Sequence, residues 1–130
     1  MAPEGLVVLA CSRAPKEAMD LLAASVTRHG MTVFARIDHA AAAKEAGMTL
    51  APTEVLIFGN PKGGTPLMQA AQTLGIDLPL KALVWQDGAG KTWIGYNDPR
   101  WLARRHGVSG PDQQLDGMAS ALAAVAKEAC

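Results

Sequence analysis

The stretch from Val55 to Gly107 limits the fold more than any other, because turn chemistry marks each of its boundaries. Two β-rich runs, Lys81 to Gln86 and Lys91 to Tyr96, flank Asp87-Gly88-Ala89-Gly90, and short glycine-containing loops of this kind join adjacent antiparallel strands. A loop of Gly88 to Gly90 predicts Trp85 opposite Trp93 on one surface and Val84 opposite Ile94 on the other. A change of one residue in the loop would destroy that pairing, because side chains alternate between faces. Upstream, Glu54 to Phe58 is an apolar run that stops at Gly59-Asn60-Pro61. The next helix is predicted with Thr65 as cap, Pro66 at its first position, a buried stripe of Leu67, Ala70, Ala71 and Leu74, and Gly75 at its end. Ile76 to Leu80 reads as an extended connection. Asp98 caps and Pro99 opens a helix that Gly107 closes.

On the N-terminal side, Leu6 to Ala10 is a short, wholly apolar run with the character of a strand covered on both faces. Pro15 opens a helix to His29 whose residues Met19, Leu22, Ala23 and Val26 form one apolar stripe, and Gly30 follows at the left-handed cap position. Thr32 to Ile37 alternates as a half-buried strand does. Asp38 caps a short Ala-rich helix, Ala40 to Ala46, with a weak apolar face suited to a covering role. After Pro111 a last helix carries Leu115, Met118, Leu122 and Val125 at helical spacing. The order is strand, helix, strand, helix, strand, helix, hairpin, helix, helix, which reads as one mixed sheet with helices against it.

At 130 residues the chain suits one domain able to bury roughly two-thirds of its unfolded surface. Its 12 basic and 12 acidic side chains cancel, so no nucleic-acid or membrane footprint is expected. No run approaches the roughly 20 apolar residues of a membrane span. Val8-Leu9-Ala10-Cys11 has the outline of a lipoprotein cleavage site, but Glu4 stands where positive charge belongs and the apolar run is too short. Cys11 and Cys130 fit no metal spacing, which leaves a reduced thiol pair in a cytoplasmic protein as the economical expectation. Three scattered histidines give no metal site and no cofactor is implied.

Four motifs in register, Ile37-Asp38-His39-Ala40, Leu56-Ile57-Phe58-Gly59-Asn60-Pro61, Asp77-Leu78-Pro79-Leu80 and Tyr96-Asn97-Asp98-Pro99, resemble domain-of-unknown-function family 302. The resemblance covers Val7 to His106. It implies a two-layer α+β domain with a mixed or mostly antiparallel sheet of about five strands, loosely similar to the TATA-binding-protein-like architecture. It also implies a tendency to form homodimers, and it supplies no reaction.

Two stretches and one dipeptide carry the polar chemistry. Gly59 to Thr65 puts Asn60, Lys62, Gly63, Gly64 and Thr65 beside a predicted helix start, the ingredients of an anion cradle built from backbone N–H groups and the helix dipole. Lys62 precedes the glycines and Pro66 follows the threonine, so this is not a nucleotide-binding P-loop; an ordinary strand-to-helix turn is the plainer alternative. Tyr96 and Asn97 end a strand, where α/β folds often place ligands, although Asn97 also suits a turn. Asp38-His39 sets a carboxylate beside an imidazole, and His39 with Tyr96 would be the acid-base candidates of an enzyme. Arg100 and Arg104 share a helical face as a further anion contact or a solvated pair. His29 and His106 read as solvated dipole partners. Three functions fit: a homodimeric module binding a small, anionic ligand; an enzyme using His39 and Tyr96; and a ligand-free dimerising scaffold.

Overall fold

A computed structural model describes residues 2–130. Five strands, β1 (Leu6–Cys11), β2 (Thr32–Asp38), β3 (Thr53–Gly59), β4 (Leu80–Gln86) and β5 (Thr92–Asn97), form one sheet in the order β1-β5-β4-β3-β2. Every neighbouring pair is antiparallel. The hairpin register is the one the loop length predicts, with Trp85 opposite Trp93 and Val84 opposite Ile94.

Alternation along the strands divides the sheet into two unlike faces. Leu56 and Phe58 of β3, Ala82 and Val84 of β4, and Ile94 and Tyr96 of β5 all enter the main core. Two antiparallel-running helices supply the other layer, α1 (Pro15–Arg28) through Met19, Leu22 and Val26, and the C-terminal helix, Asp112–Ala129, through Leu122, Val125, Ala126 and Ala129. Met19, Leu22 and Val26 follow the predicted stripe; of the stripe expected in the C-terminal helix, Leu122 and Val125 enter this core, and Leu115 joins a second cluster with Leu67, Leu74, Leu102 and Ala103. Leu6, Val8, Val55, Ile57, Leu83, Trp85 and Trp93 point the other way, and none of them belongs to a buried cluster. The indole of Trp85 lies flat across Gly95, where a β-carbon would come within 3.0 Å of Cζ3. Glycine therefore lets the aromatic ring lie down on the sheet and smooths this second face.

The short helix α2 (His39–Glu45) buries no residue, in keeping with a covering role, and Asp38 caps it by accepting from the Ala41 N–H at 2.9 Å. Helix α3 departs from expectation. It spans Pro61–Ala70, so Asn60 is the cap, Pro61 the first residue, and Pro66 lies inside. Pro61 competes with Pro66 for the same role, and the Asn60 side chain settles the start by accepting from the Lys62 N–H at 3.0 Å. Gln72–Ile76 is a separate 3-10 turn instead of the end of that helix. Helix α4 (Pro99–Arg105) opens as expected, Asp98 accepting from the Arg100 N–H at 3.0 Å. With these labels the C-terminal helix is α5.

The cysteines are joined. Cys11, at the end of β1, forms a disulfide with Cys130, whose Cα lies 4.6 Å away across 119 residues of chain. The expectation of free thiols fails because the pairing is made by topology: α5 ends beside the edge strand on which the sheet begins.

Candidate functional site

Helix α3 leaves the C-terminal end of β3 and meets the first half of α5 over the start of β4, and a groove runs between them. Met118 of α5 straddles it. One lobe, about 230 Å3, is bounded by Asn60, Pro61, Gly64, Thr65 and Met68 on the α3 side and by Phe34, Leu78, Pro79 and Leu80 opposite. The other, about 300 Å3, lies between Asn60 and Gly63 on one side and His29, Met31, Gln114, Gly117 and Ala121 on the other. Asn60, Leu80 and Met118 border both lobes, and no carboxylate lines either. Phe34 stands at the rim, 53% exposed.

Chemistry at the head of α3 is only partly what a cradle requires. The Lys62 N–H is held by the Asn60 side chain, and the Gly63 and Gly64 N–H groups donate to the Asn60 carbonyl at 2.9 and 3.0 Å. The helix thus caps itself, and no fan of free N–H groups faces outward. What survives is charge. The first turn holds no acidic residue and carries Lys62, so the positive end of the helix dipole and an ammonium group lie together uncompensated.

The sequence candidates do not form one cluster. Asn60, Gly63, Gly64 and Thr65 line the groove, whereas Lys62 lines neither lobe and stands exposed on the first turn of α3, between Pro61 and Gly63. Tyr96 faces the main core, and burial pushes its hydroxyl above the ordinary tyrosine range, with the Asp98 carboxylate adding to the effect. Asn97 pairs with Leu6 and projects to the opposite face. His39 starts α2 at the other end of the sheet, where Asp38 pairs with Glu54; the length of β3, about 20 Å at strand rise, separates it from Asn60. His39 and Tyr96 are not brought together.

A second cleft, about 610 Å3, opens near that far end between α1, α2 and the β2–β3 edge, bordered by Lys16, Arg36, Asp38, Lys44 and Glu54 among apolar residues. Most of its charges are already engaged. Arg36 binds Asp20 at 2.8 Å and Glu54 at 2.6 Å, and the guanidinium holds the Asp20 carboxyl below the usual range.

Two arginine and histidine assignments change. Arg100 bonds to Asp112 at 3.3 Å and also to Asp116, clamping α4 to α5, which removes it as an anion contact. His106 is no solvated dipole partner: its Nε2 lies 2.6 Å from Asp77, which also accepts from Arg105, and its Nδ1 lies 2.8 Å from the Thr73 hydroxyl. Threonine, histidine and aspartate stand in the atom order of a nucleophilic relay, yet none of the clefts described opens on Thr73. The cluster ties the 3-10 turn to the end of α4. His29 sits with Ser25 and Arg28 on Glu128, whose carboxyl is held low first by the Ser25 hydroxyl and then by His29.

Sequence reasoning missed the apolar half of the groove. Met31, Met68, Leu78 and Leu80 come from four segments. Only Met118 lay on a predicted stripe, and there it reads as core.

Comparison with known proteins adds three findings. The pattern of the family described as domain of unknown function DUF302 matches residues 7–125. The fluoride-specific ion channel FluC 1 of Brucella suis biovar 1 (strain 1330) is 47% identical over 126 residues, covering 96% of this chain and 50% of that protein. FluC 2 of Brucella melitensis biotype 1 is equally similar over 47% of its length. This chain therefore spans about half the length of these relatives, and no helix among its described residues is long and apolar enough to cross a membrane. The crystal structure of an uncharacterized conserved DUF302 protein from Bacillus stearothermophilus matches with a TM-score of 0.87, covering 98% of this chain and all of the other, at 21% identity. That likeness is one of fold.

Proposed function

This chain belongs to the DUF302 family, and from that premise we propose that it is a homodimeric binding module that holds a small ligand in the α3–α5 groove. The observation that carries the reading is the pairing of an apolar groove without a single acidic lining residue with the uncompensated positive head of α3 at its mouth. Binding sites commonly combine an apolar body with a few placed polar groups. Asn60 in the lining and Lys62 on the adjoining turn of α3 are those groups here, and they favour a neutral or anionic ligand. An acid-base role for His39 and Tyr96 loses support because the two lie in different parts of the molecule.

A thermal-shift screen against nucleotides, sugar phosphates and small carboxylates tests this. A ligand at a hundredfold its dissociation constant adds about 2.7 kcal/mol, or about 10 °C in Tm for a domain of this size. The shift is expected to shrink sharply in Lys62→Ala and to persist in His39→Ala. A shift that Lys62→Ala leaves intact and His39→Ala abolishes would move the site to the opposite end of the sheet.

The homodimer rests on the second sheet face. Leu6, Val8, Val55, Ile57, Leu83, Trp85 and Trp93 share it outside both buried clusters. Five strands spaced about 4.8 Å apart and six residues long at about 3.3 Å each project roughly 480 Å2. The ribbed accessible surface is larger, within reach of the roughly 800 Å2 per partner of a stable interface, and apolar patches of this size mark interaction sites.

In the Brucella relatives we place ion conduction in the half that this chain does not match, and read the matched half as an accessory binding module. The cystine also bears on placement. Disulfides persist in oxidising compartments, so an extracytoplasmic setting replaces the cytoplasmic one as our proposal.

A further inference from the structure

Helix α3 carries adjacent glycines, Gly63 and Gly64, in its first half, and packing does not require them. A β-carbon at Gly63 would meet only Met118 Cε, at 3.6 Å, and one at Gly64 would meet Leu78 Cδ1 at 3.7 Å and Met68 Cε at 3.8 Å. These are ordinary van der Waals separations, and neither glycine has positive φ. Alanine would fit both places and would favour the helix. The two missing methyl groups have one evident consequence: Gly63 borders one lobe of the groove and Gly64 the other, so their absence keeps both lobes open along the wall of α3. Methionine side chains opposite add a deformable apolar surface.

We propose that the groove takes the hydrocarbon tail of an aliphatic carboxylate, its head against Lys62 and Asn60, with Gly63 and Gly64 as specificity-determining residues that set how much tail fits. The proposal rests on the binding-module reading above. It commits to this occupant from charge: the acid-free first turn of α3, with Lys62 exposed on it, adjoins the groove through Asn60 and Pro61, no acidic residue lines either lobe, and the lining polar groups are few. A phosphorylated sugar would bring several hydroxyl groups to walls of Met68, Leu78, Leu80 and Met118, which offer them no partners.

Isothermal titration with the sodium salts of straight-chain acids from butanoate to dodecanoate tests it on the whole chain. Affinity is expected to rise about fourfold per methylene, the fold-change that corresponds to about 0.8 kcal/mol, until the groove is filled, and then to level off. Gly63→Ala and Gly64→Ala are expected to level off at a shorter acid and to lose at least tenfold for the longest one, while Tm without ligand rises by about 2–4 °C. Unchanged chain-length dependence in both alanine variants would overturn the gauge role of the glycines. No binding of any acid by the unmodified protein would overturn the ligand class; if the thermal-shift screen meanwhile returns another compound sensitive to Lys62→Ala, the module reading stands without it. Acid binding that survives Lys62→Ala and both alanine variants but vanishes in Trp85→Asp would belong to the bare sheet face, and that too would overturn the proposal.

Discussion

Reducing the Cys11–Cys130 disulfide, or replacing both residues by alanine, is expected to lower Tm by about 15 °C. The link closes a loop of 119 residues. Chain-entropy reasoning gives about 4.7 kcal/mol for a loop of about 100 residues, and native disulfides commonly contribute about 2–5 kcal/mol. With about 4 kcal/mol lost, a domain of this size shifts by about 4 °C per kcal/mol. The effect should be global, because the bond ties the edge strand β1 to the helix that completes the main core. Val125, Ala126 and Ala129 beside it are all buried, so the helix is expected to stay docked at low temperature while the unfolded chain gains freedom. Differential scanning calorimetry with and without a reductant, alongside a thiol titration, checks this. Two titratable thiols with an unmoved Tm would show that the bond contributes nothing to stability.

Replacing Trp85 by aspartate is expected to dissociate the dimer. Trp85 lies flat across Gly95 beside Trp93, toward the hairpin end of β4, the central strand of the uncovered face. Buried interface tryptophans typically account for about 2–4 kcal/mol each, and a two-fold interface contains the residue twice. Even at the lower figure the loss is about 4 kcal/mol, roughly a thousandfold in dissociation constant. The face is on the far side of the sheet from α1 and α5, so the monomer should keep its fold. Sedimentation equilibrium over a dilution series reads the result, with Phe34→Ser as a control at the exposed β2 edge. A protein that is monomeric at every concentration, or a Trp85 variant that dimerises as before, would remove the sheet face as an interface.

The elements most legible in the sequence are those whose signals are local. Alternation and loop length fixed the Trp85–Trp93 register, Asp38 and Asp98 announced their helices as caps, and the stripe of Met19, Leu22 and Val26 gave α1. The resemblance of four spaced motifs to the family carried the two-layer architecture, and the antiparallel sheet agrees with it. Two local signals compete at α3: Pro61 and Pro66 both suit a first helical turn, and the Asn60 bond to Lys62 decides for Pro61 against the expected start at Pro66.

What could not be read was long-range. Nothing near Cys11 points to Cys130. Nothing near Asp77 points to His106, which the sequence left at a solvated helix end and the fold inserts between Asp77 and Thr73. Site residues divide the same way: Asn60, Lys62, Gly63, Gly64 and Thr65 stayed together because they are contiguous. Tyr96, Asn97 and His39 separated because neighbouring strand residues face opposite ways and because β2 and β3 carry their connections at opposite ends. The methionine wall, assembled from the α1–β2 connection, α3 and α5, had no sequence signature.

The most direct test of the groove as the binding site is a backbone amide chemical-shift titration of the uniformly labelled protein with sodium decanoate. Saturable shifts are expected at Lys62, Gly63, Gly64, Met68 and Met118, with Lys44 and Leu50 at the far cleft unmoved. Saturable shifts confined to that far cleft or to Leu83, Trp85 and Trp93, or a spectrum that does not change with added acid, would contradict it.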